Sequence, residues 1–452
     1  MGRNHLRHVI PTIAAQLVLT IPQYESYLRE SIDASKNTDF ENMLLHEQFN
    51  VLLKTPLSHV GATLLSKVII IDALDECVDL VEEDNLSVDQ LIHLLASLRN
   101  VGVIEFSILV TSRDESILRS AMEHQGHDTL PLATTFRRDN ISDIESILRI
   151  GFQQISKERK YEQNWPKEAD FITVLQRSTD PSPLFIYART LLLFLGLGTK
   201  KGYAKKRLAT WLKSGLDLGI DTRLDEMYTT VFENLDPDPE PGRSGTLMSY
   251  EKEDIRKILG AIALAVEPLS VNSLVAILNL DEEVRVRLES CRAVLDVPTE
   301  KDKPVHMLHK TFSDFLLKRD RNNRYWFSVD EREQHESFAA GCLNHLEQRL
   351  TKNICHLHDP AILRAKIDAT IIKKYIPDSL QYASSHWVEH LQKAGDTNFL
   401  DSYVESLLSK QFLEWVECLA ILGRLDKALL AIEELRAVNQ VWVTFFKLLY
   451  MH

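Results

Sequence analysis

Two apolar runs joined by an amphipathic segment constrain the fold of this chain more than any other feature. Residues 68–71 are an unbroken run of β-branched side chains, a pattern typical of a strand buried on both faces of a parallel sheet. Residues 106–110 form a second apolar run, and the segment SVDQLIHLLASLRN between the runs has apolar residues at helical spacing. Ser87 and Gln90 have the spacing of a capping box. Strand, crossover helix and strand predict a βαβ unit and therefore an α/β region with a parallel sheet.

Acidic residues follow the first apolar run in the segment KVIIIDALDEC. Asp72 comes directly after the strand, and Asp75 and Glu76 follow within four residues. Because ligands bind at the carboxyl ends of the strands in open α/β sheets, Asp72 is a candidate to hold Mg²⁺ against nucleotide phosphates. Asp75 or Glu76 could polarise a water for attack on the terminal phosphate. The alternative is a core strand that exits into an acidic surface loop; the spacing of three acids favours the nucleotide site.

Arg113 follows the second apolar run in the segment ILVTSRDE. In a parallel sheet it would emerge at the same edge as Asp72, where an arginine can sense or neutralise a terminal phosphate. Taken alone, Arg113 would more often be a surface or ion-paired arginine. Its position relative to Asp72 favours the binding role.

Composition narrows the class of protein. The chain has 452 residues, enough for about two to four domains, and its net charge of -13 argues against a general polyanion-binding surface. Nucleic acid is therefore an unlikely partner. The five cysteines are scattered without a CxxC pair and are expected to be reduced thiols, as is usual in the cytoplasm. No apolar run is long enough to predict a membrane span.

Helical signals surround the α/β region. Helices are predicted over residues 8–19 and 24–32, and a third, containing HEQFNVLL, should end before Pro56. The segment KKGYAKKR is predicted to be a solvated helix face. Residues 235–249, rich in Pro and Gly, are the best candidate for a linker.

The second half of the chain is predicted to be helical, with one short ribbon. A helix, a turn at Pro268, a helix introduced by Ser270 and a short extended piece before a further helix fit a winged-helix-like module. We therefore expect four domains, which are listed in chain order: an α/β nucleotide-binding domain at 1–140, a helical lid at 141–235, the winged-helix-like domain at 250–325 and a C-terminal helical domain at 326–452.

Six segments occur in a characteristic order: KVIIIDALDEC, ILVTSRDE, SPLFIYART, LDEMYTTVFENL, AVEPLSVNSLVAIL and HMLHKTFSDFL. Together they resemble the fungal NACHT-domain proteins of the STAND class of signalling NTPases, many of which carry WD repeats. The resemblance implies a partial P-loop-NTPase-type parallel sheet, a helical lid, a winged-helix-like module and a C-terminal helical array. It also implies Mg²⁺ and ATP or GTP as cofactors and ATP or GTP hydrolysis as the activity.

Functional residues of the family can be placed on this sequence. The segment DALDE resembles the extended Walker B motif, with Asp72 as the magnesium-associated acid and Asp75 and Glu76 as the additional acids. Arg113 resembles the sensor arginine. The resemblance thus supports the roles that the strand ends themselves suggest.

The resemblance implies two further nucleotide contacts. Pro183 lies where the helical lid of the family approaches the nucleotide, although the glycine usual nearby is absent here. His309 lies where the winged-helix histidine of such switches contacts the bound diphosphate. The alternative for His309 is a histidine that packs at a helix start.

One expected motif is missing from the sequence. The family has a Walker A loop upstream of the segment IPTIAAQL, and here ten residues precede Pro11 and no GxxxxGK[ST] occurs. Backbone amides and a lysine of that loop cradle the phosphates. We therefore expect the chain to resemble the middle of a larger protein and to bind nucleotide less tightly than the family does.

Two functions of different classes remain open. The first is a STAND-type switch whose nucleotide state controls oligomerisation, with a family role in innate-immunity-like or cell-death signalling. The second is a nucleotide-independent scaffold that binds protein partners through its C-terminal helices. DNA binding through the winged-helix-like module is a third hypothesis, which the negative net charge of the chain disfavours.

Overall fold

The structure is a computed structural model that forms two compact units, Met1–Pro131 and Leu132–His452. The predicted division into four domains is finer than this and stays a prediction. The residues that the structure describes are 6–35, 43–61, 66–77, 85–102, 104–123, 125–162, 164–197, 202–213, 220–235, 247–281, 283–318, 325–359, 362–395 and 400–438. Most of the predicted linker at 235–249 lies outside the described residues.

The first unit combines helices with a two-stranded sheet. Its elements are α1 Val9–Thr20, α2 Tyr24–Ser35, α3 Leu45–Phe49, α4 Thr55–His59, β1 Ser66–Ile71, α5 Asn85–Ser97, β2 Glu105–Val110 and α6 Ser116–Met122. The predicted βαβ unit is therefore present. Helix α5 is described over Asn85–Ser97, and the side chain of Ser87, where the capping box is predicted, lies outside what the structure describes.

The sheet is parallel, as the sequence predicts, with Ile71 of β1 opposite Val110 of β2. One face packs into a hydrophobic core through residues such as Ile69 and Phe106. The prediction that β1 is buried on both faces is wrong, because Val68 and Ile70 on its opposite face are 63% and 65% exposed. Successive strand residues point to opposite faces, and the helices of this core cover only one of them.

The helix predicted to end before Pro56 continues past it. A π-helical segment, Asn50–Lys54, joins α3 to α4, and Pro56 lies in the first turn of α4. An N–H at position 56 would be directed at the carbonyl of Leu52 or Val51, and these carbonyls accept hydrogen bonds from the hydroxyls of Tyr24 and Ser31 instead. The missing N–H of proline therefore leaves neither carbonyl unsatisfied inside this continuous helical stretch.

The second unit is mostly helical. Its helices are α7 Leu132–Thr135, α8 Arg137–Arg159, α9 Glu168–Thr179, α10 Phe185–Gly196, α11 Tyr203–Lys213, α12 Ile220–Glu233, α13 Ser249–Leu264, α14 Val271–Leu278, α15 Val284–Ser290, α16 Lys310–Leu316, α17 Glu331–Arg349, α18 Ala369–Tyr375, α19 Asp378–Ala394, α20 Asp401–Lys410, α21 Phe412–Leu422 and α22 Leu425–Val438. Its strands, β3 Leu295–Asp296 and β4 His306–Met307, pair antiparallel.

Predicted helices of the second unit are confirmed where the structure describes them. Helix α14 has the expected cap, since the Ser270 hydroxyl accepts a hydrogen bond from the Ser273 N–H at 3.2 Å. Helices α13 to α16 with the β3–β4 ribbon supply the elements of the predicted winged-helix-like module, whose class stays a prediction. Trp387 and Trp415 lie fully buried in the C-terminal helices.

Burial departs from prediction on α11. Lys205 and Lys206 are exposed, as a solvated helix face requires. Arg207 is only 6% exposed and donates hydrogen bonds to the carbonyls of Phe194 and Leu197 at the end of α10. The prediction is thus wrong at Arg207, because its side chain caps a neighbouring helix rather than reaching solvent. No helix in the described ranges is long and apolar enough to span a membrane.

Candidate functional site

Hydrogen bonds of Thr111 connect the ends of β1 and β2 at the carboxyl edge of the sheet. Its backbone N–H donates to the carbonyl of Ile71 at 2.9 Å, and its carbonyl accepts from the N–H of Leu74 at 3.0 Å. Its hydroxyl accepts from the N–H of Ala73 at 2.9 Å and donates to the Asp72 carboxylate. Four hydrogen bonds from one residue therefore fix the chain where it leaves β1.

The turn after β1 depends on Ala73. This residue has a φ of +55°, a left-handed conformation that is uncommon for a residue with a side chain. The Thr111 hydroxyl holds it there through the Ala73 N–H. The reversal sends the chain into a short helical turn, Leu74–Cys77, and brings Asp75 back toward β2.

Asp75 and Arg113 form an ion pair across the edge. The Arg113 Nε lies 2.7 Å from one carboxylate oxygen of Asp75, and the Arg113 backbone N–H donates to the other at 3.0 Å. Asp75 is 5% exposed. Burial raises the pKa of Asp75, yet the hydrogen bonds and the positive charge of Arg113 outweigh it and hold that pKa below its usual range. Asp75 therefore stays ionised and binds Arg113.

Asp72 and Glu76 differ from Asp75 in being exposed. A carboxylate beside a threonine hydroxyl is a set of hard oxygen donors of the kind that Mg²⁺ prefers. Among the described residues, no group of three or more His, Cys, Asp or Glu side chains could enclose a metal ion. Mg²⁺ commonly takes one or two protein carboxylates and keeps water and phosphate oxygens as its other ligands, so the residues at this edge fit it.

Pro183 lies buried just before α10 in the second unit. Its surroundings are fixed by Arg223 of α12, which donates to the carbonyl of Arg177 at 2.7 Å and to that of Ser182 at 3.2 Å. Burial lowers the pKa of Arg223. The turn that carries Pro183 is therefore held to α12 by a buried guanidinium.

His309 begins α16 and acts as its N-cap. The His309 Nδ1 accepts from the Thr311 N–H at 3.2 Å and lies 2.8 Å from the Thr311 hydroxyl. That hydroxyl lies 2.8 Å from the hydroxyl of Tyr228 on α12. A backbone N–H can only donate, so Nδ1 must be the acceptor and the ring proton of neutral His309 resides on Nε2. The Nδ1 atom of His309 is thus used at the start of α16, as the alternative of a histidine that packs at a helix start predicts.

Alanine and asparagine at position 309 should separate helix capping from any ligand contact. His309→Ala removes the cap acceptor and should destabilise α16 by about 1 kcal/mol, whereas His309→Asn retains an acceptor and should stay close to wild type. Hydrogen exchange of the α16 amides checks both variants. Equal exchange in both would contradict the capping role.

The structure brings together some of the predicted site residues and not others. Asp72, Asp75 and Arg113 meet at one sheet edge of the first unit, with Glu76 on the adjoining turn. Pro183 and His309 belong to the second unit, where α12 contacts the Ser182 carbonyl and the Thr311 hydroxyl respectively.

Thr111 is the residue of this site to which sequence reasoning assigned no role. The signal was available, because parallel strands in register place the residue after Val110 beside the residue after Ile71. Tyr228 had no comparable signal, since its contact with Thr311 joins residues 83 positions apart.

Comparisons with known proteins agree with the resemblance at the level of the general family and not in finer detail. Residues 1–113 match the family model described as nephrocystin 3, N-terminal. Over 96% of its length the chain is 21% identical to the vegetative incompatibility protein HET-E-1 of Podospora anserina, and it spans 31% of that protein. No solved structure matches the chain. Both matches suggest a NACHT-like family.

Proposed function

We propose that this chain is the central part of a nucleotide-dependent signalling switch of the NACHT-like class. The observation that carries the proposal is the joined carboxyl edge of β1 and β2, where Thr111 orients Asp72 and Asp75 holds Arg113. The distant similarity to HET-E-1 supports a fungal NLR-like signalling role. Vegetative incompatibility itself is a property of that relative.

Each residue of the edge has a distinct role in the proposed switch. Asp72 would hold Mg²⁺, which supplies charge neutralisation for the nucleotide phosphates. A terminal phosphate would compete with Asp75 for the Arg113 guanidinium, since both are oxygen anions that form charge-assisted hydrogen bonds with it. Glu76 is better placed than Asp75 to orient an attacking water, because Glu76 is exposed and Asp75 is buried in an ion pair.

Competition for Arg113 makes the edge a two-state element. In one state the guanidinium binds Asp75, as the structure has it; in the other it binds phosphate. A ligand shifts such an equilibrium only by its differential affinity for the two states. The roles of Pro183 and His309 as nucleotide contacts rest on the resemblance alone, and hydrolysis of ATP or GTP would reset the switch.

Nucleotide titration tests the proposal. We expect saturation-transfer NMR to detect Mg²⁺-dependent binding of ATP or GTP with a dissociation constant of roughly 10 µM to 1 mM. Asp72→Asn should weaken that binding at least about tenfold, because it removes the charge that holds the metal. Asp114→Asn is the matched control, since Asp114 lies in the loop after β2 and its side chain is 81% exposed in an ion pair with Arg119.

Failure of this test would favour the second function. If neither nucleotide binds at millimolar concentration with Mg²⁺, or if Asp72→Asn and Asp114→Asn behave alike, the switch is excluded. The chain would then be a nucleotide-independent helical scaffold for protein partners. One observation favours that reading: Asp75 and Arg113 satisfy each other without a ligand.

A further inference from the structure

Helix α12 contacts two segments of the second unit, and each carries a predicted nucleotide contact. Arg223 of α12 binds the turn that holds Pro183. Tyr228 of α12 binds the start of α16, where His309 lies. The two side chains are five residues apart, which is about 7.5 Å along the helix axis. Rigid elements of this kind can carry coupling between distant sites.

Arg223 supplies the end of α9 with a donor that the backbone there lacks. The carbonyl of Arg177, in the last turn of α9, would normally accept from residue 181, but that residue is a proline and has no N–H. The Arg223 guanidinium donates to this carbonyl at 2.7 Å and to that of Ser182 at 3.2 Å. Arg223 is only 9% exposed, so water does not easily replace it. The turn is therefore held to α12 by one side chain.

Tyr228, Thr311 and His309 form a hydroxyl relay in which the direction of each hydrogen bond is fixed. The Thr311 N–H donates to His309 Nδ1, so Nδ1 is an acceptor. The Thr311 hydroxyl lies 2.8 Å from the same Nδ1 and must therefore donate its single proton to it. Tyr228 consequently donates to the Thr311 hydroxyl, across 2.8 Å between the two oxygens. Donation by Tyr228 polarises that hydroxyl and strengthens its hydrogen bond to His309.

Aromatic packing joins α12 to α16 around the relay. The ring centre of Tyr228 lies 5.1 Å from that of Phe312 and 5.2 Å from that of Phe315. Phe232, one turn further along α12, stacks on Phe312 with ring centres 5.5 Å apart. Interiors packed this closely transmit strain because they contain little space that could absorb it. Strain placed on α12 at the Pro183 turn should therefore reach α16.

We propose that Arg223 and Tyr228 are positioning residues that couple the Pro183 turn to His309 through α12. The state of the turn would set how strongly the Thr311 hydroxyl donates to His309 Nδ1, and thus how firmly the ring is held with its proton on Nε2. The meaning of this coupling for a nucleotide rests on the proposed function and on the roles that the resemblance implies for Pro183 and His309. The coupling itself needs no ligand.

The ring nitrogens of His309 report the coupling in nucleotide-free protein labelled with ¹⁵N-histidine, where His309→Asn identifies the resonances. Tyr228→Phe removes the donor to Thr311, and we expect the Nδ1 resonance to move toward the value of an imidazole nitrogen that accepts no hydrogen bond. Thr311→Val should move it further, whereas Thr311→Ser keeps the hydroxyl and should stay near wild type. Arg223→Met should move it in the same direction, although the hydrogen bonds of Arg223 go to the Pro183 turn.

A double variant separates coupling from two independent effects. Arg223→Met combined with Tyr228→Phe should move the Nδ1 resonance no further than Tyr228→Phe alone, because the relay is already broken. Arg177→Met is the matched control, since its guanidinium also donates to two carbonyls, but to those of Trp211 and Leu212 on α11. It should leave the His309 resonances unchanged.

His345 on α17 shows in the same spectra whether the unit stays folded, because it is 8% exposed and its Nε2 lies 3.1 Å from the Ser379 hydroxyl. If Arg223→Met also displaces His345, Arg223→Lys replaces it: a lysine keeps the charge without the guanidinium fork and should move the His309 resonance less.

The proposal is overturned if neither Arg223 variant moves the His309 resonance, if Arg177→Met moves it equally, or if the shifts of Arg223→Met and Tyr228→Phe add. No nucleotide is present in these measurements, so their failure leaves the proposed function standing, and a failure to bind nucleotide leaves the coupling standing.

Discussion

Replacing Arg113 by alanine should destabilise the first unit by about 3 kcal/mol, because it leaves the buried Asp75 carboxylate without its counterion. Asp75 is 5% exposed and the side chain of Arg113 is 38% exposed, so water admitted by the truncation would replace only part of the lost ion pair. The backbone N–H of residue 113 would still donate to the carboxylate. The loss of stability should therefore lie near the lower end of the range of about 3–5 kcal/mol that is typical when a buried ion pair loses one partner. The pKa of Asp75 should rise in the variant, since only the backbone hydrogen bonds would then oppose the effect of burial.

Hydrogen exchange of the β1 and β2 amides measures this loss locally, which suits a chain of two units that need not unfold together. Arg119→Ala is the matched control: Arg119 and its partner Asp114 are 61% and 81% exposed, and such a surface pair contributes less than about 1 kcal/mol. If Arg113→Ala and Arg119→Ala give equal losses, the Asp75–Arg113 pair does not hold the edge. Asp75→Leu combined with Arg113→Met should recover much of the stability, because neither charge remains buried.

The sequence predicted that Asp72 and Arg113 lie at the same edge of the sheet. It did not predict that Arg113 forms an ion pair with Asp75. Two apolar runs joined by a helix imply parallel strands, and parallel strands place Asp72 and Arg113 at one edge. The partner of Arg113 depends on the turn after β1, where Ala73 adopts a positive φ. No local propensity favours that conformation for alanine; the Thr111 hydroxyl, 38 residues away, stabilises it. Sequence patterns report local preferences and miss such distant contacts.

The same limit applies to helix continuity and to buried polar groups. Pro56 is a helix-ending signal, and only the tertiary fold around the π segment shows why the helix continues. Polar residues at helical spacing predict a solvated face, yet Arg207 on α11 and His335 on α17 are buried. Their partners lie on other helices, so periodicity within one helix cannot reveal them.

A buried polar network joins α17 and α19 to the loop after α13. His335 Nδ1 lies 2.8 Å from His390 Nδ1, and His390 Nε2 lies 2.7 Å from the hydroxyl of Tyr382. That hydroxyl accepts from the Val266 N–H at 3.1 Å. With Tyr382 donating its hydroxyl proton to His390 Nε2, His390 carries its own proton on Nδ1 and donates to His335 Nδ1. In this arrangement all three hydrogen bonds form with both histidines neutral.

Burial is the main reason that these histidines stay neutral. It lowers the pKa of His335 to about 4, with a further lowering from Lys393 that Glu389 opposes. Burial also lowers the pKa of His390 well below its usual range, and the neighbouring His335 acts in the same direction. The carboxylate of Glu267, whose Oε1 lies 3.5 Å from His386 Nε2, has its pKa lowered to about 2 by His386 and by the positive charge of Arg424, although burial opposes the shift.

Acidification should therefore destabilise the second unit from about pH 6.5 downward, well above the range in which its carboxylates titrate. Below that pH the unfolded chain takes up protons at His335 and His390 that the folded chain does not, so the free energy of unfolding falls as pH falls. His335 alone accounts for a loss of about 3 kcal/mol by pH 4. Below about pH 4.5, protonation of the unfolded-state Glu267 continues the decline toward pH 2.

Urea unfolding of the full chain between pH 7.5 and 4.5 measures how steeply the free energy of unfolding changes with pH. Hydrogen exchange of the α17 and α19 amides over the same pH range shows whether these helices carry the change. His335→Asn keeps a polar group beside His390 but cannot titrate, so the slope should flatten by up to about 1.4 kcal/mol per pH unit, the value for one proton. His306→Asn, at an exposed position on β4, should leave the slope unchanged. Equal slopes in wild type and His335→Asn would show that His335 does not resist protonation in the fold. Because the network spans the loop after α13 and both long helices, acid should weaken these three elements together rather than fray one of them.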